Sequence, residues 1–238
     1  MKIINKLGNG ILGILYPKTC CFCGKLSTTE CCDICAEKII YITEPCCKKC
    51  GKPVRYEEQE YCHDCEKREA YYEQGRSVWI HKEPVSWSLY QFKYHNRKIY
   101  GEFYAKELYR LYGDKIRQWE IDLIVPVPLH WKRRRRRGYN QAEVVAKHLG
   151  RHMNIPVDSK AVVRRYYTNP QKELDERERK RNLRGAFEVK RNWNESRKIL
   201  LIDDIYTTGS TINEISKILK EKGGHKVWFL TISIGQDF

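Results

Sequence analysis

Residues 199–211 combine two carboxylates with a run of small hydroxyl side chains and one glycine. Their sequence is ILLIDDIYTTGST, so an apolar strand leads into Asp203 and Asp204 and then into a short turn. Ligands of open α/β sheets bind beyond the carboxyl ends of strands, where the free amides of the next helix favour a phosphate. We therefore predict a monophosphate site formed by Thr207, Thr208, Gly209, Ser210 and Thr211. The competing interpretation is a polar turn that only caps a helix.

The two carboxylates suggest which molecule carries that phosphate. Asp203 and Asp204 are suited to accept hydrogen bonds from the two hydroxyls of a ribose. They would act only indirectly on a Mg²⁺ ion held by oxygens of the ligand. The segment has no lysine at the place that a Walker loop requires, which argues against ATP hydrolysis.

Eleven cysteines lie between residues 20 and 65, and eight of them form four C-x-x-C knuckles. Two residues between cysteines let one turn present two thiolates to a zinc ion, and eight thiolates suit two structural ions. The predicted ligands are Cys20, Cys23, Cys32, Cys35, Cys47, Cys50, Cys62 and Cys65. Neighbouring knuckles give two sequential sites, but the spacing also permits a crossed pairing. Cys21, Cys31 and Cys46 each adjoin a predicted ligand, and a redox or disulfide role is the minor alternative.

Six consecutive cations, Lys132 to Arg137, follow the apolar run that ends near Pro128. The planar guanidinium group of arginine matches phosphate oxygens. A basic run beside aromatic residues also suits a nucleic-acid backbone with stacked bases. The predicted nucleic-acid contacts are Lys132, Arg133, Arg134, Arg135, Arg136 and Tyr139. Taken alone, such a run is also typical of a solvated loop.

The elements around these motifs alternate between strand-like and helix-like segments. We expect strands at 78–81, 121–127, 198–202 and 227–234, and helices within 85–112, from residue 140, and over 212–222. This alternation predicts an α/β fold with a parallel sheet flanked by helices. The run at 132–137 is expected to be a loop. Because every cysteine precedes residue 66, we predict a cysteine-rich domain at 1–72 and an α/β domain at 73–238. The first of these is expected to begin with a short helix at 1–16.

The composition sets limits on the class of protein. The 238 residues are 41% hydrophobic and carry 45 Lys and Arg against 30 Asp and Glu, a net charge of +15 that attracts polyanions. Residues 1–16 have neither the continuous apolar core nor the cleavage site of an export signal. No stretch is long and apolar enough to span a membrane. We therefore expect a cytoplasmic protein.

The strand, acidic pair and T-T-G-S-T turn resemble those of the type I phosphoribosyltransferases. The resemblance implies that Asp203 and Asp204 bind the ribose diol of 5-phosphoribosyl 1-pyrophosphate, with Mg²⁺, and that 207–211 bind its 5-phosphate. It also implies a pyrophosphate loop that includes Pro128, Leu129, Arg137 and Gly138, and a base-contacting region at 90–98. Purine-salvage members carry an aspartate where this chain has Thr207, so we expect no purine base substrate.

A narrower set of motifs is similar to the ComF family of bacterial competence proteins. These motifs are P-V-P-L, R-G-Y-N-Q, a patterned segment and the phosphate turn, all behind a multi-knuckle zinc module. The resemblance implies a double zinc-ribbon-like domain, and a flap over the ligand at 164–187 with Gln171, Arg179 and Asn182 as its patterned positions. It further implies a helper in natural transformation that handles incoming single-stranded DNA together with a helicase.

Three hypotheses about function follow. The first is a protein that binds the phosphoribosyl ligand and single-stranded DNA. The second is an active phosphoribosyltransferase acting on an unknown nucleophile. The third is a regulator in which the sugar phosphate changes binding to DNA or protein.

Overall fold

The structure is a computed structural model that describes residues 18–166, 185–190, 196–223 and 225–235. The predicted N-terminal helix at 1–16 and the flap positions Gln171, Arg179 and Asn182 lie outside these residues. Within them, the strands are β1 (Gly75–Ile80), β2 (Leu123–Pro126), β3 (Val162–Arg164), β4 (Phe187–Val189), β5 (Lys198–Tyr206) and β6 (Lys226–Ile234). The helices are α1 (Asp33–Ala36), α2 (His63–Glu66), α3 (Val85–Tyr94), α4 (Tyr100–Gln118), α5 (Trp131–Arg137), α6 (Gln141–Met153) and α7 (Ser210–Gly223).

Four strands form a parallel sheet in the order β1-β6-β5-β2. Strands β1 and β2 are buried along their whole length, and β2 is the continuous apolar run expected of a strand covered on both faces. Strands β3 and β4 form a separate antiparallel pair. These features confirm the predicted α/β fold with a parallel sheet between helices.

The two faces of the sheet carry different layers. Leu200 and Ile202 of β5 point into a core shared with α3, α4 and α6. Ile199 and Leu201 point the other way, into a core shared with α7 and the β3–β4 pair. This alternation follows from the two-residue period of a strand.

The cysteine-rich region spans both layers. Cys20, Phe22 and Cys35 belong to the first core, whereas Cys47, Cys50 and Cys62 belong to the second. The segment between them runs along β1, where the Ile80 amide donates to the Ile40 carbonyl at 2.9 Å and the Ile42 amide donates to the Val78 carbonyl at 3.1 Å. The connection therefore pairs with the edge of the sheet that β1 would otherwise leave open.

Two sequence predictions are wrong in detail. The basic run is the helix α5, which ends where Gly138 adopts a left-handed conformation, rather than a loop. Strand β5 continues through Asp203 and Asp204 to Tyr206 instead of ending at Ile202, because pairing with β6 continues to Ile234. Among the described helices, none is long and apolar enough to cross a bilayer.

Candidate functional site

A cavity of about 460 Å³ opens at the carboxyl ends of β2 and β5. These strands are neighbours, so the segments that follow them meet at one edge of the sheet. Among the described residues, the cavity lining includes six cations and two carboxylates. They are Lys93, Lys132, Arg133, Arg136, Arg137, Arg164, Asp203 and Asp204.

The predicted phosphate turn forms one wall of this cavity. Thr207, Gly209, Ser210 and Thr211 line it, and α7 begins at Ser210. Gly209 adopts φ +73°, and a Cβ atom there would lie 2.3 Å from the Tyr206 hydroxyl. Only glycine therefore lets the backbone follow this path over Tyr206.

Asp203 and Asp204 are consecutive residues near the carboxyl end of β5. The Asp204 amide donates to Asp203 Oδ1 at 2.8 Å, and Lys93 Nζ lies 3.0 Å from Asp204 Oδ1. Burial, together with the charge of Asp204, raises the pKa of Asp203 to about 7. A carboxyl group with this pKa changes its protonation state close to neutral pH, as groups at functional sites often do.

Helix α5 forms the opposite wall. Lys132, Arg133, Arg136 and Arg137 line the cavity together with Pro128 and Leu129. Burial, followed by the charge of Arg133, lowers the pKa of Arg164 to about 10, so this side chain stays cationic at neutral pH. The cavity thus brings the hydroxyl side chains of the turn and the cations of α5 to a common space, and a cluster of cations of this kind attracts anions.

Not every residue predicted from the basic segment reaches this cavity. Arg134 instead pairs with Glu143 at 3.1 Å, and neither Arg135 nor Gly138 lines the cavity. The prediction that Tyr139 contacts nucleic acid is wrong, because this residue is 8% exposed and its hydroxyl donates to the Phe92 carbonyl. It is a core residue and offers no ring for base stacking.

Exposed aromatic rings lie beside the cations. The Tyr94 ring is 44% exposed and lines the cavity, and the guanidinium carbon of Arg137 lies 4.9 Å from its centroid. Tyr90 packs against Tyr94 with ring centroids 5.1 Å apart. Trp131, at the start of α5, is 60% exposed. Such rings beside arginines are typical of surfaces that stack bases.

The structure adds two features that the sequence did not reveal. Lys93 and Tyr94 fall within the expected region 90–98, but the Lys93–Asp204 ion pair could not be foreseen from residues so far apart in sequence. Arg164 was assigned to the flap region, yet it is the last residue of β3 and lines the cavity itself. Thr208 lines a second cavity on the other side of the turn.

The cysteines form two separate four-thiol clusters. One contains Cys20, Cys23, Cys32 and Cys35, and the other contains Cys47, Cys50, Cys62 and Cys65. Within each cluster all sulfur atoms lie within 4.8 Å of one another. The pairing is therefore sequential and not crossed. Four thiols at this spacing are the donor set of a structural zinc site, so the residues fit one ion in each cluster.

The three remaining cysteines lie outside both clusters. Burial raises the pKa of Cys21 and of Cys31 to about 12, and that of Cys46 to about 11. It is their position outside the two groups of four sulfur atoms, and not their pKa, that sets them apart from the predicted ligands. Choosing ligands by the C-x-x-C spacing agrees with this arrangement.

Comparison with known proteins places these observations in a family. Residues 11–66 match the double zinc ribbon domain. The chain is 38% identical over 150 residues to competence protein F of Haemophilus influenzae, a match covering 61% of this chain and 66% of that protein. It is 31% identical over 155 residues to competence protein ComFC of Bacillus subtilis, covering 63% of this chain and 59% of that protein. The chain belongs to the ComF family.

The chain is also similar to a third relative and to a solved structure. This ComF-family chain is 40% identical over 111 residues to the DNA utilization protein YhgH of Escherichia coli, covering 46% of this chain and 48% of that protein. The matches cover less than two thirds of each of these relatives. A purine phosphoribosyltransferase structure from Pyrococcus horikoshii Ot3 aligns at a TM-score of 0.36 and 14% identity, covering 56% of this chain and 73% of that chain.

Proposed function

We propose that this protein binds 5-phosphoribosyl 1-pyrophosphate together with Mg²⁺, binds single-stranded DNA, and assists DNA uptake in natural transformation. The observation that carries the proposal is the single cavity in which the phosphate turn, the Asp203–Asp204 pair and the cations of α5 face one another. The names of the relatives, which refer to competence and DNA utilization, support the biological part.

The sugar phosphate fits the arrangement in three places. The 5-phosphate would bind the turn through the amides at the start of α7 and the hydroxyls of Thr207, Ser210 and Thr211. The ribose diol would bind Asp203 and Asp204. The pyrophosphate would then face α5, with Mg²⁺ held mainly by the ligand's own oxygens.

Single-stranded DNA fits the same side of the molecule. Residues 73–238 carry 34 Lys and Arg against 20 Asp and Glu, whereas residues 1–72 carry 11 against 10. Nearly all of the net positive charge therefore belongs to the α/β part and not to the zinc ribbons. Exposed Tyr90, Tyr94 and Trp131 beside α5 offer stacking surfaces for bases.

The sugar-phosphate part is tested by calorimetric titration of the zinc-loaded protein with 5-phosphoribosyl 1-pyrophosphate and Mg²⁺. We expect binding to wild type and a loss of about tenfold in affinity for Thr211→Val, which removes one hydroxyl donor to a charged phosphate. Thr19→Val, at a residue that does not line the cavity, should bind as wild type does. Failure of the wild-type protein to bind would contradict the proposal.

The DNA part is tested by the salt dependence of binding to a single-stranded oligonucleotide. Neutralised phosphates release counterions, so affinity should fall steeply with salt. Arg136→Ala should reduce the slope of log K against log salt by about 0.7, the value for one contact to a single strand. Arg134→Ala is the matched control, because Arg134 faces Glu143 and not the cavity. Equal effects of the two variants, or salt-independent binding, would count against a site on this wall.

Phosphoribosyl transfer is the second candidate function. The acidic pair and the turn hold the groups that would keep the sugar in place while a nucleophile attacks C1 and pyrophosphate leaves toward the cations. Release of pyrophosphate on addition of a nucleobase or an oligonucleotide, and its loss in Asp204→Asn, would establish transfer.

We also propose a cytoplasmic location, a helicase of the competence system as partner, and a division of roles between residues 1–72 and 73–238. These three assignments rest on the family relationship and on the change in composition after Cys65.

A further inference from the structure

The second zinc ribbon contacts the phosphate turn from behind. Arg68 lies three residues after Cys65, and its NH1 group donates to the Thr208 carbonyl at 2.9 Å. The Tyr71 amide donates to Asn213 Oδ1 at 2.8 Å, and Asn213 Nδ2 donates to the Glu69 carbonyl at 3.2 Å. Both ends of the turn region are thus fastened to the segment that leaves the cluster.

A second connection runs through two tyrosines that meet at their hydroxyl groups. The Tyr72 and Tyr206 hydroxyls are 3.0 Å apart, and Cys65 Sγ lies 3.9 Å from the Tyr72 hydroxyl. The Tyr206 ring stacks on Phe229 with centroids 4.9 Å apart, and its hydroxyl lies directly beneath Gly209. A shift of Tyr72 would therefore move the surface on which Gly209 rests.

Arg68 is itself oriented by the ribbon. Its NH2 group lies 3.8 Å from Asp64 Oδ1, and Asp64 also pairs with Lys52 at 2.9 Å. Asp64 lies between the ligand candidates Cys62 and Cys65 on helix α2. The position of the guanidinium group is thus tied to the backbone that holds the second cluster.

We propose that Arg68 and Tyr72 are positioning residues that hold the phosphate turn in its binding conformation, so that the second zinc ribbon, and not the first, sets the affinity of the turn for a phosphorylated sugar. The inference rests on the proposed sugar-phosphate function. Neither side chain touches the ligand in this account. Arg68 fixes the Thr208 carbonyl, which leaves the neighbouring amides directed toward the cavity, and Tyr72 fixes the support beneath Gly209.

The experiment compares ligands that use different parts of the cavity. Ribose 5-phosphate engages the turn, whereas pyrophosphate engages the cations of α5. We expect Arg68→Ala to weaken binding of ribose 5-phosphate and of 5-phosphoribosyl 1-pyrophosphate about tenfold, and Tyr72→Phe about threefold, with pyrophosphate affinity unchanged. A purely structural role would weaken all three ligands together.

Two controls separate positioning from charge and from unfolding. Lys67→Ala removes the same charge from the adjacent, exposed residue and should bind as wild type does. Arg68→Lys keeps the charge but not the forked donor, and should restore only part of the affinity. Each variant is checked for two zinc ions per chain, and hydrogen exchange of the amides at 207–211 should quicken in Arg68→Ala.

The outcomes are distinct. Wild-type binding of the sugar phosphate together with unchanged affinity in Arg68→Ala and Tyr72→Phe would overturn this inference and leave the proposed function standing. Absence of sugar-phosphate binding in the wild type would overturn both. Equal weakening by Lys67→Ala, or full restoration by Arg68→Lys, would show that charge rather than position is responsible and would also overturn the inference.

Discussion

The first knuckle of one ribbon is Cys20-Cys-Phe-Cys23, and that of the other is Cys47-Lys-Lys-Cys50. In both, the amide that follows the second cysteine donates to the carbonyl of the first at 2.9 Å. The surroundings differ. Phe22 is 1% exposed and packs edge-on against Trp79, with centroids 5.3 Å apart, whereas Lys48 pairs with Glu60 at the surface.

The ribbons are therefore held to the sheet by different forces. The first is fixed by burial of aromatic surface and by a hydrogen bond of 2.5 Å from the Ser88 hydroxyl to the Cys21 carbonyl. The second buries Cys47, Cys50 and Cys62 in the core on the other face and adds hydrogen bonds of Arg68 and Tyr72 with the turn region. Similar local structures can thus serve stability in one place and the geometry of a binding site in another.

The largest expected effect comes from removing equivalent ligands, one from each ribbon. Cys35→Ser and Cys65→Ser should each lose one zinc ion and lower the Tm by roughly 10 °C, because metal binding contributes directly to folding. Only Cys65→Ser should also abolish sugar-phosphate binding. Metal analysis, thermal unfolding and calorimetric titration check this, and equal loss of binding in both variants would remove the distinction between the ribbons.

Phe22→Ala tests the apolar attachment of the first ribbon. Removing a buried phenylalanine leaves a cavity, so we expect a loss of about 3–5 kcal/mol in the free energy of unfolding. Lys49→Ala, at the equivalent position of the other knuckle, should cost less than about 1 kcal/mol. Denaturant unfolding measures both. A similar cost at the two positions would mean that the ribbons are attached in the same way.

Asp203→Asn tests the turn region against which the second ribbon packs. The folded-state pKa of Asp203 is raised from 3.8 to about 7. The free energy of unfolding of the wild-type protein should therefore fall as pH rises between these values. The free energy of unfolding of the variant should exceed that of wild type by about 4 kcal/mol at pH 8, and the advantage should vanish below about pH 4. Thermal unfolding across this range checks the sign, and a constant difference would contradict it.

The smallest effect separates two ion pairs. Lys52 and Asp64 in the second ribbon are 9% and 21% exposed, whereas Lys18 and Glu30 in the first are 58% and 39% exposed. Lys52→Ala should cost about 1–2 kcal/mol, and Lys18→Ala no more than about 0.5 kcal/mol. Denaturant unfolding at low and high salt measures the costs. Equal values would show that the lower exposure of the Lys52–Asp64 pair adds nothing to its contribution to stability.

Local patterns predicted most of the fold. The strand of 198–202 and the helix of 212–222 were recognisable because burial on both faces, or on one, leaves a direct mark on the sequence. Six adjacent cations repel one another and so disfavour a helix, yet α5 forms between the His130 cap, which accepts from the Lys132 amide, and Gly138. The domain boundary near residue 72 remains a prediction.

The candidate site was predictable only in part. The turn, the carboxylate pair and the cations of α5 carry recognisable residue types, and the structure brings most of them to one cavity. The contacts of Arg68 and Tyr72 with residues more than 130 positions away leave no local pattern. Tyr139 was misassigned because its sequence neighbours are exposed cations, although its own ring faces the core.

The chain that joins the two ribbons occupies the margin of the sheet beside β1. Cutting the protein near residue 72 would uncover the outer backbone amides and carbonyls of that strand, together with apolar surface on both sides of it. The exposed strand of an isolated α/β half could then pair with the same strand of another copy, so we expect this half to self-associate when it is expressed alone. The segment that joins the two ribbons thus also protects the sheet from pairing with other molecules.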